Sequence, residues 1–132
     1  GFPSLQQYHD LCKSYLEGLS ERKRDKALIT RDTYLAVSAV LDSHESSSQY
    51  SASFRFWARK MFTSDAERLM HDGKPVVTTD EIYLVLVDCH FYASHGGRDA
   101  TVKLVHENYS WVPKELIARF VRECPTCGKK RS

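Results

Sequence analysis

Two cysteines and two histidines have the types and spacing to hold a metal ion. Cys124-Pro125-Thr126-Cys127-Gly128 is a C-x2-C knuckle, a spacing that lets two sulfurs reach one tetrahedral ion. Pro125 stiffens the turn, and Gly128 is expected to supply the backbone freedom that lets amide groups approach the thiolates. A closed structural zinc site needs four ligands, and imidazole is a usual companion of thiolate, so the other pair is sought among the histidines. His90 and His95 stand upstream, completing the pattern H-x4-H-x28-C-x2-C. Residues five apart on one helix point in different directions, so the chain must leave the helix after His90 and bring His95 back. Two thiolates offset the charge of the ion, and four protein ligands leave no position for water or substrate, which argues against metal catalysis.

Other readings of these residue types are weaker. Cys124 and Cys127 are too close in the chain for a relaxed disulfide, and a reducing compartment is inferred. A redox dithiol of the thioredoxin kind belongs at a helix N-terminus after a strand, whereas this pair follows a predicted helix. Cys12 and Cys89 read as small buried hydrophobes. His9, His44, His71 and His106 have no partner at ligand spacing. Ser46-Ser47-Ser48 beside His44 and Glu45 lacks triad geometry, and neither a glycine-rich phosphate loop nor a useful carboxylate pair occurs. The chain is expected not to be an enzyme.

The elements that must position the four ligands can be read from periodicity. Ser4 and Gln7 form a capping box ahead of Leu5, Tyr8, Leu11, Cys12, Tyr15, Leu16 and Leu19, an amphipathic helix. A charged connector, Ser20 to Asp25, either continues or breaks it. Thr30 caps a second helix to about Leu41, with Tyr34, Val37, Val40 and Leu41 inward. A polar loop over His44 to Gln49 follows. The third helix spans roughly Ser51 to Phe62, with Phe54 and Trp57 toward the core and Phe56 off their face. Asp72-Gly73, between Arg68-Leu69-Met70-His71 and Lys74-Pro75-Val76-Val77-Thr78, predicts a hairpin whose second strand Pro75 confines to an edge.

A Thr78/Glu81 capping box then opens an apolar helix through Ile82, Leu84, Val85, Leu86 and Val87 into Cys89-His90. Gly96-Gly97 turns the chain, Asp99 caps a short helix bearing Val102, Leu104 and Val105, and a last helix starts at Pro113 with Leu116, Ile117, Phe120 and Val121 inward. The fold expected is mainly α with one β-hairpin. It comprises a helical unit over 1–78, winged-helix-like in element order, and a zinc-stapled helical unit over 79–132.

Composition sets the outer bounds. The chain has 132 residues, room for one compact domain or two very small ones, and units much under about 70 residues usually need a metal or other staple. It reads as a piece of a larger protein. No apolar run approaches the roughly 18 to 20 residues of a membrane span, so a soluble chain without a membrane partner is expected. Residues 1–88 carry 11 basic and 13 acidic side chains, and residues 89–132 carry 8 against 4. The basic end is the metal end.

Residues 82–128 resemble the integrase-type HHCC zinc-binding domain of retroelements and of genes domesticated from them. His95-Gly96-Gly97-Arg98-Asp99-Ala100-Thr101 is similar to that family's His-x-Gly-Arg-Asp-x-Thr signature. Tyr109-Ser110-Trp111-Val112-Pro113 is similar to its Tyr-x-Trp-x-Pro segment, and Phe120 to Cys127 to its knuckle. The metal roles carry over to His90, His95, Cys124 and Cys127. The spacing of the first two ligands varies among relatives, so Cys89 stands as an alternative to His90. Upstream, Ile29-Thr30-Arg31-Asp32-Thr33-Tyr34, Glu45-Ser46-Ser47-Ser48 and Phe54-Arg55-Phe56-Trp57 resemble the nucleolar protein four family.

The resemblance implies one structural zinc ion and a non-catalytic interaction module in a nuclear, chromatin-linked protein. The mild charge of +2 favours a protein partner, with self-association as a variant. Direct nucleic-acid contact is the alternative, through Arg55, Arg59 and Lys60 or through Lys129, Lys130 and Arg131, a run that also reads as the start of a nuclear import signal. A further alternative is the leading segment of an active integrase, whose acidic catalytic core would lie beyond this stretch.

Overall fold

The computed structural model describes residues 1–42 and 49–131, with side chains described as far as 129. The predicted polar loop and the serine run beside His44 fall largely outside the described residues. Among those residues the chain forms eight helices and a small antiparallel sheet: α1 (Leu5–Glu17), α2 (Glu21–Ala27), α3 (Arg31–Asp42), α4 (Ala52–Met61), β1 (Thr63–Asp65), β2 (Arg68–His71), β3 (Lys74–Pro75), α5 (Thr79–Tyr92), α6 (Arg98–Asn108), α7 (Lys114–Arg122) and α8 (Pro125–Arg131). None of the helices is long and apolar enough to cross a membrane.

The Ser4/Gln7 capping box starts α1 as expected. The charged connector breaks away as α2, capped by Ser20 Oγ accepting from Lys23 N–H. Arg24 then folds back to donate to the carbonyls of Leu16 and Leu19, both at 3.1 Å, fastening α2 to the end of α1. The predicted Asp72-Gly73 hairpin is present with both residues left-handed, and Pro75 lies on the edge strand. The sheet also gains β1, through a turn in which Ala66 and Glu67 are left-handed. Neither residue favours that conformation, so the turn carries no sequence signal.

Two apolar clusters form among the described residues. Ile29, Val37, Val40, Ala58, Phe62, Leu69 and Val76 bury one under α3, α4 and the sheet. The other gathers Ile82, Leu86, Val105, Leu116, Ile117 and Phe120 from α5, α6 and α7, and α1 joins it with Tyr8 buried and Leu11, Cys12, Tyr15 and Leu16 half-buried. Leu5 departs from the predicted inward face, at 51% exposed. Leu84 likewise faces out. The segment before α7 ties the clusters together: Ser110 N–H donates to Pro75 O at 2.8 Å and Val77 N–H to Ser110 O at 3.2 Å. Trp111 enters the first cluster while Val112 enters the second.

Glu81 fastens the sheet to α5. Its carboxylate accepts from Thr78 N–H at 2.9 Å and from the Arg68 guanidinium at 3.3 and 3.4 Å. Burial opposes its ionisation, but the hydrogen bonds from Thr78 and Arg68 outweigh burial and hold the carboxyl below its ordinary value. A depressed folded pKa contributes stability above the unfolded value and loses it as pH falls through the folded one. Glu81→Gln is therefore expected to be less stable than wild type at neutral pH, the gap closing below about pH 4. Denaturant titrations over a pH series check this, and a gap independent of pH would contradict it.

Candidate metal centre

His90 lies near the C-terminal end of α5, where a fully buried position faces α6 and α7. The chain then reverses sharply, with Ser94 and His95 both left-handed at φ of 54° and 53°. His95 N–H donates to His90 O at 2.9 Å and Gly96 N–H to Ala93 O at 2.8 Å. A Cβ on Gly96 would meet Ala93 O at 2.9 Å and Ala100 Cβ at 3.0 Å, so only glycine lets the turn close this tightly. This is the return that the five-residue spacing demanded. Gly97 caps α6 two residues before Asp99, which sits in the helix's first turn rather than capping it.

The knuckle differs from expectation. Cys124 directly precedes α8, Cys127 lies in that helix's first turn, and Gly128 is helical, its N–H donating to Cys124 O at 2.9 Å. Gly128 therefore supplies no special φ. The cysteines stand at a helix N-terminus after all, so that position no longer separates them from a redox dithiol. What does separate them is the company they keep.

The ligand atoms of His90, His95, Cys124 and Cys127 lie within 4.8 Å of one another. His90 Nε2 is 3.2 Å from Cys127 Sγ and His95 Nδ1 is 3.4 Å from Cys124 Sγ. Sulfur and nitrogen on one tetrahedral zinc ion stand about 3.5 Å apart, given usual bond lengths. The four side chains fit the ion. Cys124 and Cys127 are buried and His95 is half-buried. Cys89, the alternative to His90, is outside the cluster. Its thiol is buried in the apolar core, and burial, with the nearby Asp88 charge, pushes it up.

Thr101 and Phe2 complete the site, and neither was singled out in the sequence for this role. Thr101 Oγ1, fully buried, accepts from His90 Nδ1 at 2.9 Å and donates toward Gly96 O at 3.4 Å. A proton fixed on Nδ1 leaves the Nε2 lone pair aimed at the metal. Thr101 closes the signature that begins at His95, which was its only signal. Phe2 stacks on His95 with ring centroids 4.8 Å apart and 25° between planes. Tyr83 OH holds the adjoining segment by donating to Pro3 O at 2.7 Å.

Residues 77–132 match the integrase zinc binding domain family. The match covers His90, His95, Cys124 and Cys127, Thr101 and the glycine turn, and it supports a zinc-binding module in this part of the chain. The chain is also similar to human Nucleolar protein 4, at 24% identity over 95% of this chain and 24% of the relative. Mouse Nucleolar protein 4 is 23% identical over 95% of this chain and 32% of that protein. The chain thus spans about a quarter to a third of the length of these curated relatives. No solved structure matches it.

Of the basic residues named from sequence, Arg55, Arg59 and Lys60 belong to α4, which supplies none of the four candidate ligands. Arg55 is half-buried and donates to Tyr50 O at 2.6 Å. Arg59 and Lys60 are exposed at the end of α4, and Lys60 lies over the Phe56 ring. Lys129 is exposed on α8, which also contains Lys130 and Arg131.

Thr101→Val keeps the shape of the side chain but removes its hydrogen bond to His90. Zinc affinity, measured by competition with a chromogenic chelator, is expected to fall by about 10- to 100-fold with the fold retained. Thr101→Ser should restore it. An unchanged affinity in the valine variant would show that Thr101 has no part in orienting His90.

Proposed function

We propose that this chain is a non-catalytic recognition module, organised by one structural zinc ion, within a nuclear, chromatin-linked protein derived from an integrase. The observation that carries the reading is the ligand set. Four protein donors fill a tetrahedral ion, and a fully coordinated ion offers no position to a substrate or an activated water. When bound, zinc would crosslink α5, the turn after it and the α7–α8 junction. The similarity to proteins named for the nucleolus supports a nuclear setting, as does the Lys129-Lys130-Arg131 run. The alternative, the leading segment of an active integrase, requires an acidic catalytic core elsewhere in the full-length protein, and the family match favours it as a second reading.

The partner proposed is a protein segment seated on the outer face of α5. Leu84, Phe91 and Tyr92 are 63%, 59% and 76% exposed, and Asp80 and Asp88 stand exposed along the same helix. Apolar side chains bordered by carboxylates suit an amphipathic segment with basic flanks. Pairing with a second copy would set acidic residues against each other.

Replacement of zinc by cobalt tests the first part. A closed site should give a tetrahedral cobalt spectrum that added azide or cyanide leaves unchanged, whereas a spectral shift would reveal an open coordination position. For the partner, a labelled amphipathic peptide of alternating leucine and lysine character should bind wild type and lose about tenfold or more in affinity to Leu84→Asp and Phe91→Asp. Equal binding to both variants, or concentration-dependent dimerisation abolished by them, would overturn the proposed partner.

A further inference from the structure

Three cavities adjoin one another through shared lining residues, and no residue of α5 lines any of them. The central one, about 510 Å³, opens between α2, the β2–β3 turn and the segment joining α6 to α7. It shares Tyr15, Lys26 and Ala27 with a cavity beneath α2. At its other end it shares His71 and Asp72 with a cavity beside the end of α4. Arg22, Lys23, Lys26, Arg59, Lys60 and Lys74 line this row of adjoining cavities, taken together as a groove, and Asp72 is the acidic side chain on its walls among the described residues. A chain with a formal net charge of only +2 therefore concentrates cations along one track.

The floor of the groove is aromatic. Tyr15, Tyr109 and Trp111 line it, each half-buried. Trp111 is held in a left-handed conformation at φ 73°, which a bulky residue adopts only where its surroundings enforce it. Its indole N–H donates to Lys26 O at 3.0 Å, and its ring packs on Phe62 with centroids 4.9 Å apart. Lys74 is fixed by donating from its ammonium to His106 O. The Trp111 ring and the Lys74 ammonium are thus set by the fold, and the Lys26 ammonium lies over the Trp57 ring, 5.4 Å from its centroid.

We propose that this groove binds single-stranded nucleic acid, with the lysines and arginines along the track meeting successive phosphates and Tyr109 and Trp111 meeting unpaired bases. A track of cations suits a polyanion better than a single anion. Aromatic rings add stacking that every base can use once it is unpaired, and a duplex keeps those faces inside its own stack. An acidic peptide would satisfy the cations but leave the aromatic floor without planar partners. The groove uses no residue of α5, so its fate is separate from that of the protein partner proposed for that helix.

The test uses the zinc-loaded chain and a fluorescent oligothymidylate of about twelve nucleotides. A duplex of equal length and an oligoglutamate serve as competitors, with anisotropy followed over a salt series. Binding should weaken steeply with salt. Lys26→Glu and Lys60→Glu should each weaken it by about tenfold or more and flatten the salt slope by roughly 0.7 for each phosphate no longer neutralised. Tyr109→Leu should weaken binding with the salt slope unchanged, while Lys103→Glu, outside the groove, should do nothing. Circular dichroism confirms that each variant folds, which the exposure of Lys26 and Lys60 favours. No binding at low salt, an equal loss in the Lys103 variant, a duplex bound more tightly than the single strand, or an oligoglutamate competing as well as the oligonucleotide would each overturn the proposal.

Discussion

Four donor atoms converge on one point, and they come from three segments that pack on the same apolar core. His90 is delivered by a helix, His95 by a reversal with two left-handed non-glycine residues, and the cysteines by the start of a separate helix. Left-handed residues other than glycine, asparagine and aspartate cost of order 1 kcal/mol each and persist where the surroundings over-determine them. Apparent zinc binding in small structural sites is on the order of 10 kcal/mol, comparable to the whole stability of a domain. That balance makes the strained turn between α5 and α6 sustainable, and Gly96 is what lets it close.

The zinc-binding unit is not isolated from the rest of the chain. Helix α1 contributes Tyr8 to the same core, and Phe2 covers the half-buried ligand His95. The other cluster is joined through Ser110 and Trp111, whose hydrogen bonds reach Pro75 and Lys26. A short stretch of backbone therefore joins the packing around the candidate metal site to the groove. The Tyr109–Pro113 segment, noticed first as a likeness to a family pattern, acts physically as that link.

Much of this was legible in the sequence because it depends on local rules. The C-x2-C spacing, the capping boxes at Ser4 and Thr78, the three-and-four steps of α3 and α7 and the Asp72-Gly73 turn each follow from chemistry within a few residues. The losses were of two kinds. Ala66-Glu67 forms a hairpin turn without turn residues, and α8 begins at a proline in a seven-residue stretch too short to show a period, so neither had a local signal. The partners of His90 and His95, Thr101 and Phe2, are set by tertiary packing, as is the groove, whose six cations come from stretches up to 52 residues apart. Exposure of Leu5 and Leu84 was hidden for the same reason, since periodicity ranks faces but does not say which neighbour covers them.

The function proposed requires a metal held by His90, His95, Cys124 and Cys127, and metal content measured together with folding tests this most directly. Elemental analysis of wild type should find one zinc per chain, and Cys124→Ser should lose it. Chelation should remove part of the helical circular dichroism, the loss falling on residues 77–132, with recovery when zinc is returned. A wild-type chain that is free of metal yet keeps its full helical signal and its thermal transition would contradict the ligand set and the structural role given to it.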